Sequence, residues 1–269
     1  MGPEYVVLQF AKILKENFNT DVKILCMKGK EDFSDDNIIS FQPSILLKNT
    51  IGFSLDALKF IDKVNQEKRC IFHSHGLWRF INISPVLLKK DNSKPMMVVS
   101  PHGALSEEAL IVSKLKKRLL WSIQQFALKQ ADCFHATSMK EYHEIRRLGF
   151  KQPVAIIPPG ISIPQLEQQQ HSDRKKALYL GRIHPIKGID NLLIAWKNLQ
   201  STNQNWDLHI VGPDQSQYAK YLKRMKKDLK LSSVYFEGEV FGENKNLRFP
   251  KSGLFKLPSH SENFCIAFA

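Results

Sequence analysis

With 269 residues, 43% of them hydrophobic and 24% charged, the chain has an ordinary globular composition, and its length allows one large domain or two medium ones. No apolar run approaches the roughly 20 residues of a membrane-crossing helix, and Cys26, Cys70, Cys133 and Cys265 lie too far apart for a C-x-x-C motif, so they read as isolated reduced thiols. The net charge of +13 suits an anionic partner, but it is shared as +6 over residues 1–150 and +7 over 151–269, which argues against a sequence-specific reader of nucleic acid with a single basic stripe.

The chain opens on a helix. Val6, Val7, Phe10, Ile13, Leu14 and Phe18 recur at the spacing of one buried face, and Pro3 takes an early helical position where its missing N–H is harmless. No basic-then-apolar leader is present, so the expected location is the cytoplasm. A strand over 21–27 follows, then an acidic loop, a weak strand over 38–41 and a helix over 55–64. Next come strands over 70–73, 96–100, 133–136 and 154–157, alternating with helices over 80–88, 106–130 and 139–148. Alternation with almost continuously apolar strands predicts a parallel sheet covered on both faces.

Pro158-Pro159-Gly160 closes this series, and the stretch from Pro164 to Lys175, with Gln168-Gln169-Gln170 and little apolar content, reads as a linker. The expected division is a first domain over 1–160, a linker over 161–175 and a second domain over 176–269. The second βα series places strands over 177–180, 207–211, 234–236 and 254–257, and helices over 190–199 and 217–229. No repeat of 20–50 residues suggests a solenoid. Two α/β domains facing each other across a cleft are the expected architecture.

The most informative segment is Leu180-Gly181-Arg182-Ile183-His184-Pro185-Ile186-Lys187-Gly188. An apolar strand empties into a turn carrying one Arg and one Lys, and a helix begins just beyond. Helix-start N–H groups and two fixed cations then point into one small volume, which collects anions. Gly181 and Gly188 let the backbone approach a bulky ligand, and Pro185 stiffens the turn. A phosphate or diphosphate is the expected guest. Solvated surface charges are the alternative reading of the same residues. His73 and His75 alternate along one strand face, and without a matching carboxylate and histidine set they do not make a metal site. Two basic clusters, Lys114–Arg118 and Lys220–Lys227, interleave apolar residues at helical spacing. A solvated helix face is the plain reading, and an anionic membrane surface is the functional alternative.

A second segment, Leu257-Pro258-Ser259-His260-Ser261-Glu262-Asn263-Phe264, completes a pattern. Together the two segments resemble the nucleotide-sugar-dependent, retaining glycosyltransferases of family 4, in which a G-R-x-x-P-x-K-G loop holds the donor diphosphate and a Ser-Glu-Asn-Phe-Gly turn holds the sugar. His73-Ser74-His75-Gly76-Leu77-Trp78, Val99-Ser100-Pro101-His102-Gly103, His135-Ala136-Thr137-Ser138 and Ile157-Pro158-Pro159-Gly160-Ile161 follow the same enzymes in the same order.

The resemblance implies a GT-B fold, two Rossmann-like domains with the active site between them. It implies transfer of a sugar from a nucleoside diphosphate to a glycan or lipid-linked acceptor, with retention, in polysaccharide or glycoconjugate synthesis. A lone dehydrogenase is disfavoured, since no G-x-G-x-x-G follows a strand. No D-x-D occurs, which agrees with a transferase that needs no metal or other cofactor. By resemblance Arg182 and Lys187 neutralise the departing diphosphate, His102 helps stabilise the transition state, and the Glu262 carboxylate accepts hydrogen bonds from sugar hydroxyls. Gly181, Gly188, Asn263, Phe264 and Cys265 line the donor, and Gly2 and Pro3 belong to the acceptor-side loop.

The pattern is not followed everywhere. Cys265 replaces the usual glycine, Pro159 and Ser162 stand where Asn and Asp are usual, and Phe249-Pro250-Lys251 interrupts a helical approach. Both ends are expected to be cut. Gly2-Pro3 resembles the close of a Gly-rich loop that normally follows a first, central strand. A second glutamate, eight residues after Glu262, would fall one position beyond Ala269. A chain so shortened keeps open a second class of function, a catalytically inactive remnant that binds a nucleotide or an anionic partner.

Overall fold

Apolar β-branched and aromatic residues set the strands. In the first unit β3 (Ile71–His75), β4 (Met96–Ser100), β5 (Cys133–Ala136) and β6 (Val154–Ile156) form a four-stranded parallel sheet in that order. The computed structural model describes residues 3–29, 36–44, 51–67, 70–88, 95–111, 114–160, 175–240 and 254–260, and it divides into two units, Met1–Gly160 and Ile161–Ala269. Among the described residues β1 (Ile24–Met27) and β2 (Ile38–Phe41) pair with each other, in parallel, as a separate two-stranded sheet.

Helices α2 (Leu55–Glu67), α3 (Phe80–Leu87), α4 (Glu107–Ile111), α5 (Lys114–Lys129) and α6 (Met139–Arg147) connect these strands. The core of the unit gathers Val99, Phe134, Leu105, Leu128, Ile145 and Phe150, each at most 3% exposed. Burying one such side chain stabilises by about 1.5–3 kcal/mol.

One expectation is corrected here. The opening helix α1 (Pro3–Phe18) forms, but its apolar face is not buried: Phe10, Ile13 and Phe18 are 38%, 45% and 69% exposed. A sheet beneath a helix normally buries such a stripe, and among the described residues the β1–β2 pair and the β3–β6 sheet are separate. Phe10 meets the His73 ring edge to face, at 5.5 Å between centroids. The helix expected over 106–130 is described as α4 and α5, and residues 112–113 between them lie outside the described residues. Cys26, Cys70 and Cys133 are free thiols.

In the second unit β7 (Lys175–Leu180), β8 (Trp206–Val211), β9 (Val234–Gly238) and β10 (Leu254–Phe255) form a parallel sheet of order β10-β7-β8-β9. β7 and β8 pair along six residues, from Lys175↔Trp206 to Leu180↔Val211. Helices α7 (Ile189–Leu199) and α8 (Gln217–Asp228) pack Leu193 and Leu222 against Tyr179, Leu208 and Ile210, all fully buried. The Trp196 indole N–H is satisfied by Ser233 Oγ at 3.0 Å. Among the described residues no helix is long and apolar enough to cross a membrane.

Candidate active site

The loop between β7 and α7 is built by local chemistry. Tyr179, buried at the end of β7, donates its hydroxyl to Arg182 O at 2.8 Å, which ties the turn at Gly181 to the core. Gly181 N–H donates to Val211 O at 3.0 Å, continuing the β7–β8 ladder into the loop. The His184 ring accepts the Ile186 N–H at 3.3 Å and starts a short 3₁₀ turn over Pro185–Lys187, where Pro185 sits at the first position. Gly188 ends that turn in the left-handed region, φ +59° and ψ 30°, and is the residue from which α7 begins.

One loop therefore brings together four residues that the sequence marked: Gly181, Arg182, Lys187 and Gly188. Their field is visible on His184. Burial first, then the cations Arg182 and Lys187, hold its pKa below the ordinary histidine value. At the start of α7 the Asp190 carboxylate accepts the Tyr218 hydroxyl at 3.0 Å. Burial and this partner push the Tyr218 phenol up to about 12.

The C-terminal segment docks onto the same loop. His260 N–H donates to Ile186 O at 2.9 Å, and a Cβ placed on Gly188 would lie 2.3 Å from Pro258 O and 3.4 Å from the His260 ring nitrogen. Residues 258–260 thus lie against the cationic turn. Glu262, Asn263, Phe264, Cys265 and Gly2 lie outside the described residues, and Pro3 is the first residue of α1.

In the first unit the carboxyl edge of the sheet, where open α/β sheets receive ligands, carries a cluster of four histidines. His73 and His75 share one face of β3, with ring centroids 4.1 Å apart. His102 follows β4 and stacks on His75 at 5.2 Å, with His75 Nδ1 2.9 Å from His102 Nε2. A second chain of bonds has a fixed direction. Ile157 O can only accept, so His135 Nε2, at 2.8 Å, donates to it. In the neutral ring His135 Nδ1 then accepts from the Ser100 hydroxyl at 2.9 Å, and His73 Nε2 donates to Ser100 Oγ at 2.7 Å.

Burial, reinforced by mutual repulsion of the rings, lowers the His73 pKa to about 4 and that of His75 to about 2. His102 is also lowered by burial, opposed in part by the Glu141 carboxylate. Among the described residues no group of three or more His, Cys, Asp or Glu side chains is placed to hold a metal ion.

His102 and Gly103 both adopt positive φ, +53° and +76°. Such a conformation in a histidine persists only when its surroundings fix it. Glu141 does so. It is fully buried, and its carboxylate accepts Gly103 N–H at 2.6 Å, Thr137 N–H at 2.8 Å and the Thr137 hydroxyl at 3.0 Å. Glu141, Ser100 and His135 are the participants that sequence reasoning missed as a working group. The signal for Glu141 was present: Ser138-x-x-Glu141 is a capping-box spacing, and Ser138 Oγ does accept Glu141 N–H at 3.2 Å. The departure is that the glutamate reaches back one residue further, to Thr137, and sideways to the His102 turn.

Residues 2–164 match a family model described as Glycosyltransferase Family 4, and residues 164–269 match one described as Glycosyl transferases group 1. No curated protein matches the chain. Among solved structures, a sucrose-phosphate synthase from Thermosynechococcus elongatus is 17% identical with a TM-score of 0.78, over 99% of this chain and 72% of that one. HepE of Anabaena, in complex with UDP and glucose, is 15% identical with a TM-score of 0.71, over 98% and 72%. The lipopolysaccharide outer core galactosyltransferase WaaB, in its apo form, is 16% identical with a TM-score of 0.67, over 100% and 73%. At these identities the likeness is one of fold.

Proposed function

Because the chain belongs to glycosyltransferase family 4 and has the GT-B fold, we propose that it moves a sugar from a nucleoside diphosphate to a glycan or lipid-linked acceptor, with retention. The observation that carries this reading is the docking of 258–260 onto the Arg182–Lys187 turn, through His260 N–H to Ile186 O and the close approach of Pro258 to Gly188. A sugar held by the residues after His260 would then have its diphosphate at the cationic turn. The Anabaena HepE structures with UDP and with UDP-glucose support a uridine nucleotide as the first donor to try.

In this reading bond cleavage leaves negative charge on the β-phosphate. Arg182, Lys187 and the N–H groups opening α7 meet that charge as it forms, each charge-assisted hydrogen bond contributing about 1.5–3 kcal/mol. Glu262 accepts hydrogen bonds from the sugar ring. His102, held near-neutral by burial, offers a ring nitrogen to the transferred sugar rather than a second full charge, and His75 fixes the orientation of that ring. The division of labour is a first domain over 1–160 on the acceptor side, a linker over 161–175 and a donor domain over 176–269. The free thiols Cys26, Cys70 and Cys133 fit a reducing compartment, the cytoplasm.

The test is titration of UDP and UDP-glucose into the purified protein, with donor turnover followed on the same samples. Binding is expected, and Lys187→Ala should lower turnover by about 10²–10³-fold, the loss typical of a charge-stabilising donor. Nucleotide binding that Lys187→Ala and Arg182→Ala both leave unchanged would remove this turn from the mechanism. Binding without turnover would favour the inactive remnant.

A further inference from the structure

Helix α5 has two apolar faces. At about 100° per residue, Gln124, Ala127 and Leu128 share one side, where they are 3%, 3% and 2% exposed. Gln124 Oε1 accepts the Trp78 N–H there at 3.0 Å. On the other side Leu115, Leu119, Ile123 and Phe126 stand in a row, spaced four, four and three residues apart. They are 79%, 82%, 47% and 52% exposed. Leaving four large apolar side chains in water is unfavourable for each of them, and a contiguous apolar row on a surface marks a place of contact.

The charge on the same helix says what kind of contact. α5 holds Lys114, Lys116, Lys117, Arg118 and Lys129 and no Asp or Glu. Arg118 and Lys129 are exposed, whereas Lys117 turns inward, donating to Ala109 O with its ammonium 5.3 Å from the Trp78 ring. Helix α1 makes the comparison clear. It also exposes apolar residues, but its Lys12 and Lys15 are balanced by Glu4 and Glu16, and Lys12 faces Glu16 at 3.9 Å. Among the described helices only α5 joins an apolar row to charge of a single sign, and that uniform charge opposes pairing of the face with a second copy of itself.

We propose that the outward face of α5 is a docking surface for an anionic lipid bilayer. The helix lies in the headgroup plane with Leu115, Leu119, Ile123 and Phe126 at the acyl boundary and Arg118 and Lys129 among the lipid phosphates. This deepens the transferase reading, which gives the surface a use in meeting a lipid-borne acceptor. Docking itself requires no donor turnover, so the two can fail separately.

The experiment is cosedimentation of the whole chain with phosphatidylcholine vesicles, with and without phosphatidylglycerol. Binding is expected only to the anionic vesicles, weakening as salt is added. The double variant Leu115→Ser/Leu119→Ser should bind at least about tenfold more weakly, and Arg118→Gln and Lys129→Gln about fivefold each. Because all four positions are exposed, each variant should keep the wild-type urea midpoint, which checks that the fold survives. Equal sedimentation with neutral and anionic vesicles would overturn the proposal, as would wild-type binding by the serine variant. A wild-type dimer in equilibrium sedimentation that the serine variant dissolves would assign the row to a second copy and overturn it as well.

Discussion

At Gly188 a methyl group would meet Pro258 O at 2.3 Å, in a backbone conformation of φ +59° that L-residues adopt at a cost. Gly188→Ala is therefore expected to destabilise by about 1–3 kcal/mol and to weaken UDP binding by pushing 258–260 away. Thermal unfolding and calorimetric titration of the same variant check both. Gly181 is the milder neighbour: its added Cβ would come no closer than 3.1 Å to any atom, the Tyr179 hydroxyl, and its backbone is not in the left-handed region. Gly181→Ala should cost clearly less than Gly188→Ala. Glu141 makes a second residue-scale prediction. Glutamine in its place keeps one carbonyl oxygen for three donors and turns an NH₂ toward one of them. Glu141→Gln should lose about 1–3 kcal/mol and, by loosening the His102 turn, lower kcat more than donor KM. Steady-state kinetics beside urea unfolding would show it, and an unchanged kcat would reduce Glu141 to a purely structural part.

The element that responds to pH is β3. Burial holds His73 and His75 neutral, with pKa values near 4 and 2, so each ring takes up a proton more readily once unfolded. The sign follows directly. Their contribution to stability is whole above the unfolded value of about 6.5 and is lost as pH falls toward the folded values. Between pH 7 and pH 5 the unfolding free energy should drop by roughly 1–2 kcal/mol per histidine, and His73→Gln should flatten the slope. Urea titrations at the two pH values decide it, and a flat profile in the wild type would contradict the buried, neutral cluster.

The same strand shows how far elements were legible. β4 and β5 match their expected spans, because short, mostly apolar runs between turn residues admit little else. β3 was read as ending at His73 and continues to His75. The alternation of His73 and His75 already placed both on one strand face, and the structure adds the partners Ser100, His102 and Asn82 that satisfy the polar His-Ser-His run.

At the scale of the molecule two units, each with hydrophobic packing of its own, predict two unfolding events. Trp78 and Trp121 report on the first unit, and Trp196 and Trp206 on the second. Leu222 is fully buried in the second core. Leu222→Ala should cost about 2–5 kcal/mol and move only the transition of its own unit. That difference is measurable by urea unfolding followed with fluorescence of paired Trp→Phe variants. A single transition shifted as a whole would mean that the units unfold together.

The amino-acid sequence by itself determined the alternation of strands and helices and the place of the cationic turn after β7, together with the family to which the chain belongs. These are properties of local spacing: periodicity fixes an element, and glycine, proline and paired cations fix a turn. Only the tertiary structure decided which elements find a surface to cover. It left the apolar stripe of α1 half in water and gave α5 a second, outward apolar face. It also brought Glu141 from its helix cap across to the His102 turn and laid 258–260 against Gly188. Those outcomes depend on contacts between residues tens of positions apart, and burial and polar satisfaction are settled by such contacts.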